Sequence, residues 1–256
     1  MLRSRIVPCL LMHDRGLVKT RQFKEPKYVG DPLNAVKIFN EKEVDELTFL
    51  DIDASVQGRQ PDHALLRSLA VESRMPLCYG GGIRSADQAA RIIALGFEKV
   101  SVSSAVLERP GLIAEMARAV GSQSVVVTLD VKRNRILGGY TIYTHNGREK
   151  QKHNLLDFCR QAQELGAGEI VINAIDRDGE MAGYDLELAR KVRAAVSTPM
   201  SMLGGAGNVQ HMQELIDAVG VVGAGAGSMF VFKGAYRAVL INYARPDTLR
   251  QTGKDL

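Results

Sequence analysis

Residues 45–55, DELTFLDIDAS, decide the fold, because residues 168–178, GEIVINAIDRD, repeat their pattern 123 positions later, with Glu46 matched by Glu169. Each copy has a glutamate in its second position, continues as an apolar run and contains aspartates toward its end. Two further pairs keep almost the same offset: YGGG at 79–82 resembles LGGAG at 203–207, and residues 101–106 resemble residues 224–229. A shared offset of this length indicates a two-fold repeat, in which each half contains several strand–helix units.

Working outward from the repeat, eight short apolar runs alternate with amphipathic segments. The runs lie at 6–11, 47–52, 76–79, 100–102, 124–129, 169–175, 199–203 and 219–225. Unbroken apolar runs are typical of parallel strands buried on both faces. Ser85 with Gln88, Asn154 and Asn208 provide helix caps between them. The pattern predicts an α/β protein, a single (βα)8 TIM barrel with a two-fold half-barrel repeat. A doubly wound open sheet is the alternative.

The expected boundaries are one domain over 1–256, with half-barrels at about 1–120 and 121–245. The segment 136–145, which contains Gly138 and Gly139, is expected to form a small hairpin after the fifth strand. Residues 14–29 are expected to form a long charged loop that acts as a lid.

Composition limits the function. The net charge of +4 is scattered and includes no run of five like charges, which argues against a nucleic-acid-binding face. The N-terminal apolar run is too short for a signal peptide or a membrane span. Three cysteines without CxxC spacing argue against disulfides and zinc and favour a cytoplasmic protein. The five histidines have no ligand spacing, so we expect neither a metal nor a cofactor.

Polar residues at the C-terminal ends of the strands are the candidates for chemistry, since barrel enzymes react at that face. Five carboxylates lie there and could act as bases, ligands or loop caps: Asp51, Asp53, Asp130, Asp176 and Asp178.

Two glycine-rich strand ends predict phosphate sites on opposite halves of the barrel. Glycines let the backbone approach a phosphate closely. The two sets comprise Gly81, Gly82 and Ser104, then Gly204, Gly205 and Ser228. Tight strand-to-helix turns are the simpler explanation, but the pairing by the repeat favours a ligand with a phosphate at each end. Lys19 lies in the loop 14–29, and alone it would be taken for a solvated surface lysine.

The elements RIVPCL, GLVK, DELTFLDIDAS, YGGGIRS, GSQSVVVTLD, DRDG, GYDLEL and GGAG resemble the cyclase subunit (HisF) family of imidazole glycerol phosphate synthase over nearly the whole chain. The family has the two-fold (βα)8 fold, receives ammonia from a glutaminase and closes an imidazole ring on a bis-phosphorylated substrate. The resemblance implies that Asp130 is a catalytic acid, that Lys19 contacts substrate and that Asp178 joins the second phosphate site. It also implies an ammonia gate at the N-terminal barrel face, formed by Arg5, Glu46, Lys99 and Glu169.

Departures from the family concentrate at the opposite face. Leu11 stands where the family has its other catalytic acid, and Ser103, Leu203 and Val231 replace an asparagine, a serine and a histidine. Loss of one positioned acid typically costs about 10²–10⁴ in rate, so Leu11 argues against cyclase activity. The stretches VPCLLMHDRGLVKT and FKEPKYVGDPLNAVKIFNEKEVDEL resemble a subgroup, the WbuZ-type paralogues linked to amidation of surface-polysaccharide sugars.

The expected function is therefore an ammonia-conducting subunit that works with a HisH-like glutaminase and a separate sugar amidotransferase. A genuine cyclase of histidine biosynthesis, using Asp130 with Asp53 or Asp176, is the alternative. A sugar isomerase of the related HisA type is disfavoured, since it also needs an acid at position 11. A phosphate-binding module without a partner is the remaining possibility.

Overall fold

The computed structural model describes residues 3–134, 138–234, 236–244 and 249 of the chain. Its strands are β1 (Arg5–His13), β2 (Gly16–Arg21), β3 (Lys24–Gly30), β4 (Leu47–Asp51), β5 (Leu77–Gly80), β6 (Lys99–Val102), β7 (Val125–Arg133), β8 (Tyr140–Thr144), β9 (Glu149–Asn154), β10 (Glu169–Ala174), β11 (Met200–Leu203), β12 (Gly223–Ala226), β13 (Phe232–Lys233) and β14 (Ala238–Val239).

Eight of these strands form a closed parallel barrel, in the order β1-β4-β5-β6-β7-β10-β11-β12 and back to β1. Closure depends on two junctions: β1 pairs with β12, with Arg5 opposite Gly223, and β7 pairs with β10, with Asp130 opposite Asn173. The ring confirms the predicted (βα)8 barrel and excludes the open doubly wound sheet.

The helices are α1 (Pro32–Glu41), α2 (His63–Glu72), α3 (Ala86–Ala94), α4 (Ser104–Glu108), α5 (Leu112–Val120), α6 (Leu155–Glu164), α7 (Leu186–Ala195), α8 (Val209–Val219) and α9 (Ser228–Val231), with 3-10 turns at Ser122–Ser124 and Ile175–Arg177. The predicted N-caps are confirmed at Ser85, Asn154 and Asn208, whose side chains accept backbone N–H bonds of the first turn. No helix of the described chain is long and apolar enough to cross a membrane.

The strand side chains alternate between two compartments. Large apolar residues such as Phe49, Tyr79 and Ile172 are completely buried in the layer between strands and helices, which forms the main core. The alternate residues face the barrel axis and are smaller or polar, as with Cys9, Thr48 and Thr128. The barrel interior is therefore the more polar compartment, and it leads to the face where the strands end.

Two strand–helix connections differ from the prediction. Residues 14–29 are mostly β-structure, because β2 and β3 form an antiparallel hairpin that pairs with the end of β1. The expectation of a long loop was wrong. The expected hairpin at 136–145 begins outside the described residues, which omit 135–137; from 140 onward β8 pairs with β7 and with β9.

Two further boundaries need comment. The eighth run was placed at 219–225, but Val219 ends α8 and the strand begins at Gly223. The proposed end of the second half-barrel, at residue 245, lies outside the described residues.

The three cysteines are free thiols, and all are buried. Cys9 and Cys78 face the barrel interior, whereas Cys159 lies on the buried side of α6. Burial raises the pKa of Cys9 to about 11 and that of Cys159 to about 12, and it also raises the pKa of Cys78. Thiols with raised pKa values react slowly, because the thiolate is the reactive form.

Candidate functional site

The C-terminal ends of the barrel strands surround a cavity of about 910 Å3 that is partly open to solvent. Its lining comes from nearly all parts of the mouth, including Leu11, Asp51, Gly81, Asp130 and His145. The predicted convergence of polar strand ends at this face is therefore present.

Asp130 lies at the centre of the mouth, in β7. The amide Nδ2 of Asn173, opposite it in β10, donates to its Oδ1 at 2.8 Å. Burial raises the pKa of Asp130 to about 7, and the carboxylate of Asp178 adds to the shift, while the Asn173 bond opposes it. An acid with a pKa near neutrality can both accept and donate a proton at physiological pH.

Leu11 occupies the strand end where a second acid would face Asp130. It lies in β1, opposite Leu50 of β4, and is buried, with 8% of its surface exposed. Leu203 ends β11 beside Asn173. These leucines give this part of the mouth an apolar wall that can neither donate nor accept a proton.

The other carboxylates have different positions. Asp51 lines the mouth cavity, and its Oδ1 accepts the N–H groups of Asp53 and Ala54 at 3.0 Å. Asp53 is held by His13 Nδ1 at 2.8 Å, and Asp176 accepts the Arg133 N–H at 2.7 Å. Among the described residues neither Asp53 nor Asp176 lines the mouth cavity, so Asp51, not these two, accompanies Asp130 there.

The first predicted phosphate site lies at the side of the mouth formed by β5 and β6. Gly81 and Gly82 both have positive φ, and a Cβ at Gly81 would lie 2.5 Å from the Asp51 carbonyl. Only glycine fits that backbone. Ser104 begins α4 beside them, and the buried hydroxyl of Ser103 has no hydrogen-bond partner in the described chain. The unsatisfied hydroxyl is a feature that a bound ligand would complete.

The second predicted site lies on the opposite half of the mouth, in a separate cavity of about 400 Å3. Gly204 and Gly205 again have positive φ, and a Cβ at Gly205 would lie 2.1 Å from the Gly183 carbonyl. Ser228 begins α9, and its buried hydroxyl has no partner among the described residues. The two halves thus have the same parts: paired glycines, a short helix and a serine.

Lys19 belongs to this second site. It lies in β2 with only 5% of its surface exposed, so the expectation of a solvated surface lysine was wrong. Its amine donates to the Cys9 carbonyl over 3.4 Å and forms no ion pair with any described residue. Because a Cβ at Gly227 would lie 2.0 Å from Nζ, the ammonium lies beside the start of α9. A buried cation without an anion is suited to bind one.

Asp178 lines the same cavity but also fastens the β2–β3 hairpin over it. Its Oδ2 accepts the Thr20 hydroxyl at 2.6 Å and the Phe23 N–H at 3.2 Å. Phe23, at the hairpin turn, lines both the mouth cavity and the second phosphate cavity. Sequence reasoning missed this residue, which together with Leu11 separates the two halves of the mouth.

At the opposite end of the barrel, four charged residues form one ion-paired cluster at the N-terminal ends of the strands. Arg5 donates to Glu46 at 2.6 Å and to Glu169 at 2.9 Å, and Lys99 donates to the same carboxylates at 2.7 and 2.9 Å. The four residues of the predicted gate are therefore in mutual contact. Sequence reasoning missed a fifth member, Ser201, whose hydroxyl donates to Glu169 at 2.5 Å.

The two glutamates of this cluster differ electrostatically. Burial favours the protonated form of both and raises the pKa of Glu46, with the nearby Glu169 charge adding to the shift. For Glu169 the opposing effects of Lys99, Arg5 and the Ser201 hydroxyl exceed that of burial, so its pKa is lowered. Lys99 and Arg5 thus favour the ionised form of Glu169, and both carboxylates contribute ion pairs to the cluster.

An interior cavity of about 440 Å3 lies along the barrel axis between the cluster and the mouth. Glu46, Glu169 and Ser201 line its lower end. At its upper end, the cavity shares three residues with the mouth cavity: Leu50, Ser101 and Thr128. The hydroxyls of Ser101 and Thr128 are 2.6 Å apart and form a hydrogen bond at this junction.

One group of metal-ligand type occurs among the described residues: His13, Asp14 and Asp53, whose ligand atoms lie within 4.8 Å of one another. Both ring nitrogens of His13 already face carboxylates, Nδ1 at 2.8 Å from Asp53 and Nε2 at 3.4 Å from Asp14. The two nitrogens of one imidazole point in opposite directions and cannot bind the same ion, so the group is better explained as a hydrogen-bonded loop anchor.

Comparison with known proteins identifies the class to which this barrel belongs. Residues 5–237 match the model of the "Histidine biosynthesis protein" family. A Vibrio vulnificus protein named provisionally as imidazole glycerol phosphate synthase subunit hisF3 is 57% identical over 246 residues, covering 96% of this chain and 95% of its own. A Pseudomonas aeruginosa protein, provisionally subunit hisF2, is 47% identical over 243 residues, covering 95% and 96%.

A relative without the provisional qualifier is imidazole glycerol phosphate synthase subunit HisF of Lysinibacillus sphaericus, 39% identical over 246 residues, covering 96% of this chain and 97% of its own. The chain therefore belongs to the histidine biosynthesis family of (βα)8 barrels. Within that family it is a homologue of subunit HisF of imidazole glycerol phosphate synthase.

Proposed function

We propose that this chain is a HisF-like subunit of a glutamine-dependent amidotransferase complex. A HisH-like glutaminase binds at the N-terminal barrel face, and ammonia passes from it through the barrel to the mouth. The observation that carries the proposal is the interior cavity, which extends from Glu46 and Glu169 to the Ser101–Thr128 hydroxyl pair of the mouth. Polar groups at its two ends, Glu169 and Ser201 below and Ser101 and Thr128 above, offer hydrogen bonds to a small neutral molecule, and apolar side chains such as Val126 and Val171 line the path between them.

The ion-paired cluster at the N-terminal barrel face also supports entry of ammonia at that end. Four strands contribute buried charged groups at one end of the barrel, where an apolar layer would be cheaper, since a buried ion pair is rarely worth its desolvation cost. A function explains such a cluster better than stability does. Its ion pairs can exclude water and cations while a transient separation admits neutral ammonia.

The mouth supports a role other than ring closure. Leu11 occupies the position of an acid, and together with Phe23 it separates the two phosphate cavities. A barrel that keeps the ammonia route and loses one acid fits a subunit that delivers ammonia to another enzyme. We propose that this enzyme is a separate sugar amidotransferase of the cytoplasm, acting on a surface-polysaccharide sugar, with a phosphorylated small molecule bound at the mouth.

The test is stimulation of a HisH-like glutaminase by this chain. We expect a saturable increase in glutamine hydrolysis, which Lys99→Met reduces and the surface control Lys152→Met does not. Glutaminase activity that stays unchanged at saturating amounts of the folded chain would contradict the proposal.

The second candidate is a genuine cyclase, and one observation favours it: Asp130, with a pKa of about 7, shares the mouth cavity with the carboxyl of Asp51. The test supplies the ribulosyl bis-phosphate substrate with excess ammonium salt, which bypasses any glutaminase. Turnover that Asp51→Asn abolishes would establish the cyclase. We expect no turnover by the natural chain and a measurable gain in Leu11→Asp, which restores an acid opposite Asp130.

A further inference from the structure

A fourth cavity, which no part of the ammonia route uses, lies behind the mouth beside the connection from β4 to α2. It has a volume of about 620 Å3, part of which is open to solvent. Its floor is apolar, formed by Met12, Leu65 and Leu66. Polar side chains surround the floor: Asp14, Arg15, Asp51, Gln57, Arg59, Asp62 and Tyr79.

Tyr79 gives this cavity the mark of a binding site. The residue is completely buried in β5, and its hydroxyl has no hydrogen-bond partner among the described residues. The charges that act on the phenol are those of Asp51, Arg59 and Asp62, and all three line the cavity. Tyr79 lines the cavity together with these three residues, and an unpaired buried hydroxyl costs free energy until a ligand or water completes it.

The remaining polar groups leave further hydrogen-bonding capacity. Arg59 donates Nε to Gln57 at 2.7 Å, but its Nη2 is 3.5 Å from Asp51, a long contact. Arg15 approaches Asp62 only to 3.4 Å. The Oδ2 atom of Asp51 accepts no hydrogen bond from any described residue, since both N–H donors go to Oδ1. The cavity thus offers both donors and acceptors beside its apolar floor.

The charge of the lining indicates which class of ligand fits. Three aspartates and two arginines surround the cavity, so it has no excess of positive charge that would attract a phosphate or carboxylate. Donors and acceptors beside leucine side chains suit a molecule with many hydroxyls and one apolar face. A pyranose ring has both features.

We propose that this cavity is a binding site for a neutral monosaccharide unit, with Tyr79, Arg59 and Asp51 as its polar contacts. The inference does not depend on the ammonia route, because none of these three residues lines the interior cavity. Asp51 lines both this cavity and the mouth, so a sugar bound here would lie next to the point where the barrel interior opens.

The test is a titration of the isotope-labelled chain with glucose and with N-acetylglucosamine, followed by amide chemical shifts. We expect saturable shifts confined to residues 12–15 and 51–66, with a dissociation constant in the millimolar range. Tyr79→Phe removes one oxygen and should weaken binding about three- to tenfold, the usual effect of one hydrogen bond. Arg15→Ala, at the exposed rim, should weaken it similarly.

The matched control is Tyr243→Phe, because the Tyr243 hydroxyl donates to the Ile6 carbonyl at the other end of the barrel. It should leave the sugar affinity unchanged. Three results would overturn the proposal: no saturable shift with either sugar up to about 0.1 M, unchanged affinity in Tyr79→Phe, or shifts of the same amides by inorganic phosphate instead of sugar. If neither sugar causes a saturable shift and the Tyr79→Phe variant is also more stable than the natural chain, the cavity holds only water.

Discussion

Replacement of Asp130 by Asn should stabilise the protein above neutral pH, because the native structure holds this carboxyl at a cost. Its pKa rises from the ordinary value of 3.8 to about 7 on folding, so the folded state binds the proton more tightly than the unfolded chain. Well below pH 4 both states are protonated and the group contributes nothing to the pH dependence. As pH rises toward 7 the unfolded chain ionises first, and the free energy of unfolding decreases.

The magnitude follows from the shift. Each pKa unit corresponds to about 1.4 kcal/mol, so a shift of roughly three units sets an upper limit near 4 kcal/mol. Asp130 is only partly buried and faces an open cavity, so screening by water reduces this value, and about 2 kcal/mol is the expected gain. An asparagine fits the site because Asn173 has an unpartnered Oδ1 that can accept a bond from the new amide if the Asn173 amide rotates.

The assay is urea unfolding of the natural chain and the Asp130→Asn variant from pH 5 to 8.5. The stability of the variant relative to the natural chain should increase from pH 5 to about pH 7 and level off above it, and the exposed control Asp157→Asn should show no such trend. Equal stabilities of Asp130→Asn and the natural chain at pH 8.5 would refute the reasoning, since the carboxyl would then carry no folding cost.

Three other substitutions test separate parts of the structure. Lys99→Met should cost about 3–5 kcal/mol in urea unfolding at pH 7, because it leaves Glu46 and Glu169 with Arg5 as their shared cation; a loss as small as that of Lys152→Met would show that the cluster is solvated. Ser228→Ala should change the free energy of unfolding by no more than about 0.5 kcal/mol, since the Ser228 hydroxyl has no partner in the described chain. It should weaken the binding of inorganic phosphate, measured by calorimetry, roughly tenfold or more. Unchanged phosphate binding would show that Ser228 is not part of the site, and Ser68→Ala is the surface control. Gly205→Ala should destabilise by about 3 kcal/mol, because a Cβ would lie 2.1 Å from the Gly183 carbonyl, whereas Gly139→Ala, with open space around it, should cost about 1 kcal/mol; equal thermal shifts would show that the backbone at Gly205 can relax.

The barrel strands were predictable because their apolar runs are continuous, which is how strands buried on both faces appear in a sequence. The β2–β3 hairpin escaped prediction for the converse reason. Five of the seven residues of β3 are exposed, and their charged side chains give neither an apolar run nor an alternation. Pairing with β2, which itself pairs with the end of β1, holds them extended, and such pairing is a tertiary effect.

The candidate site was predictable at the level of strand ends but not of individual acids. All five aspartates do lie near the rim, yet loop geometry decides which of them face the mouth. Asp53 and Asp176 are used to hold loops through His13 and the Arg133 N–H, while Asp51 keeps one oxygen toward the cavities. Spacing along the chain carries no record of these hydrogen bonds.

Lys19 and Tyr79 show the same limit. The sequence around Lys19 gives no sign that its side chain will be buried on the inner side of the β2–β3 hairpin, next to the start of α9. A tyrosine in a buried strand is usually a core residue, and the ring of Tyr79 does pack against Phe97, with centroids 6.1 Å apart. The only signal was its hydroxyl, which a purely apolar layer would not need.

Because all three thiols are buried, the folded molecule should not react with maleimides and similar thiol-directed labels. A single cysteine introduced at an exposed position, such as Val71 on α2, would then take up a fluorophore selectively without removal of Cys9, Cys78 or Cys159. The native thiols can also report on unfolding, because the rate of their modification in denaturant would measure how fast the barrel opens.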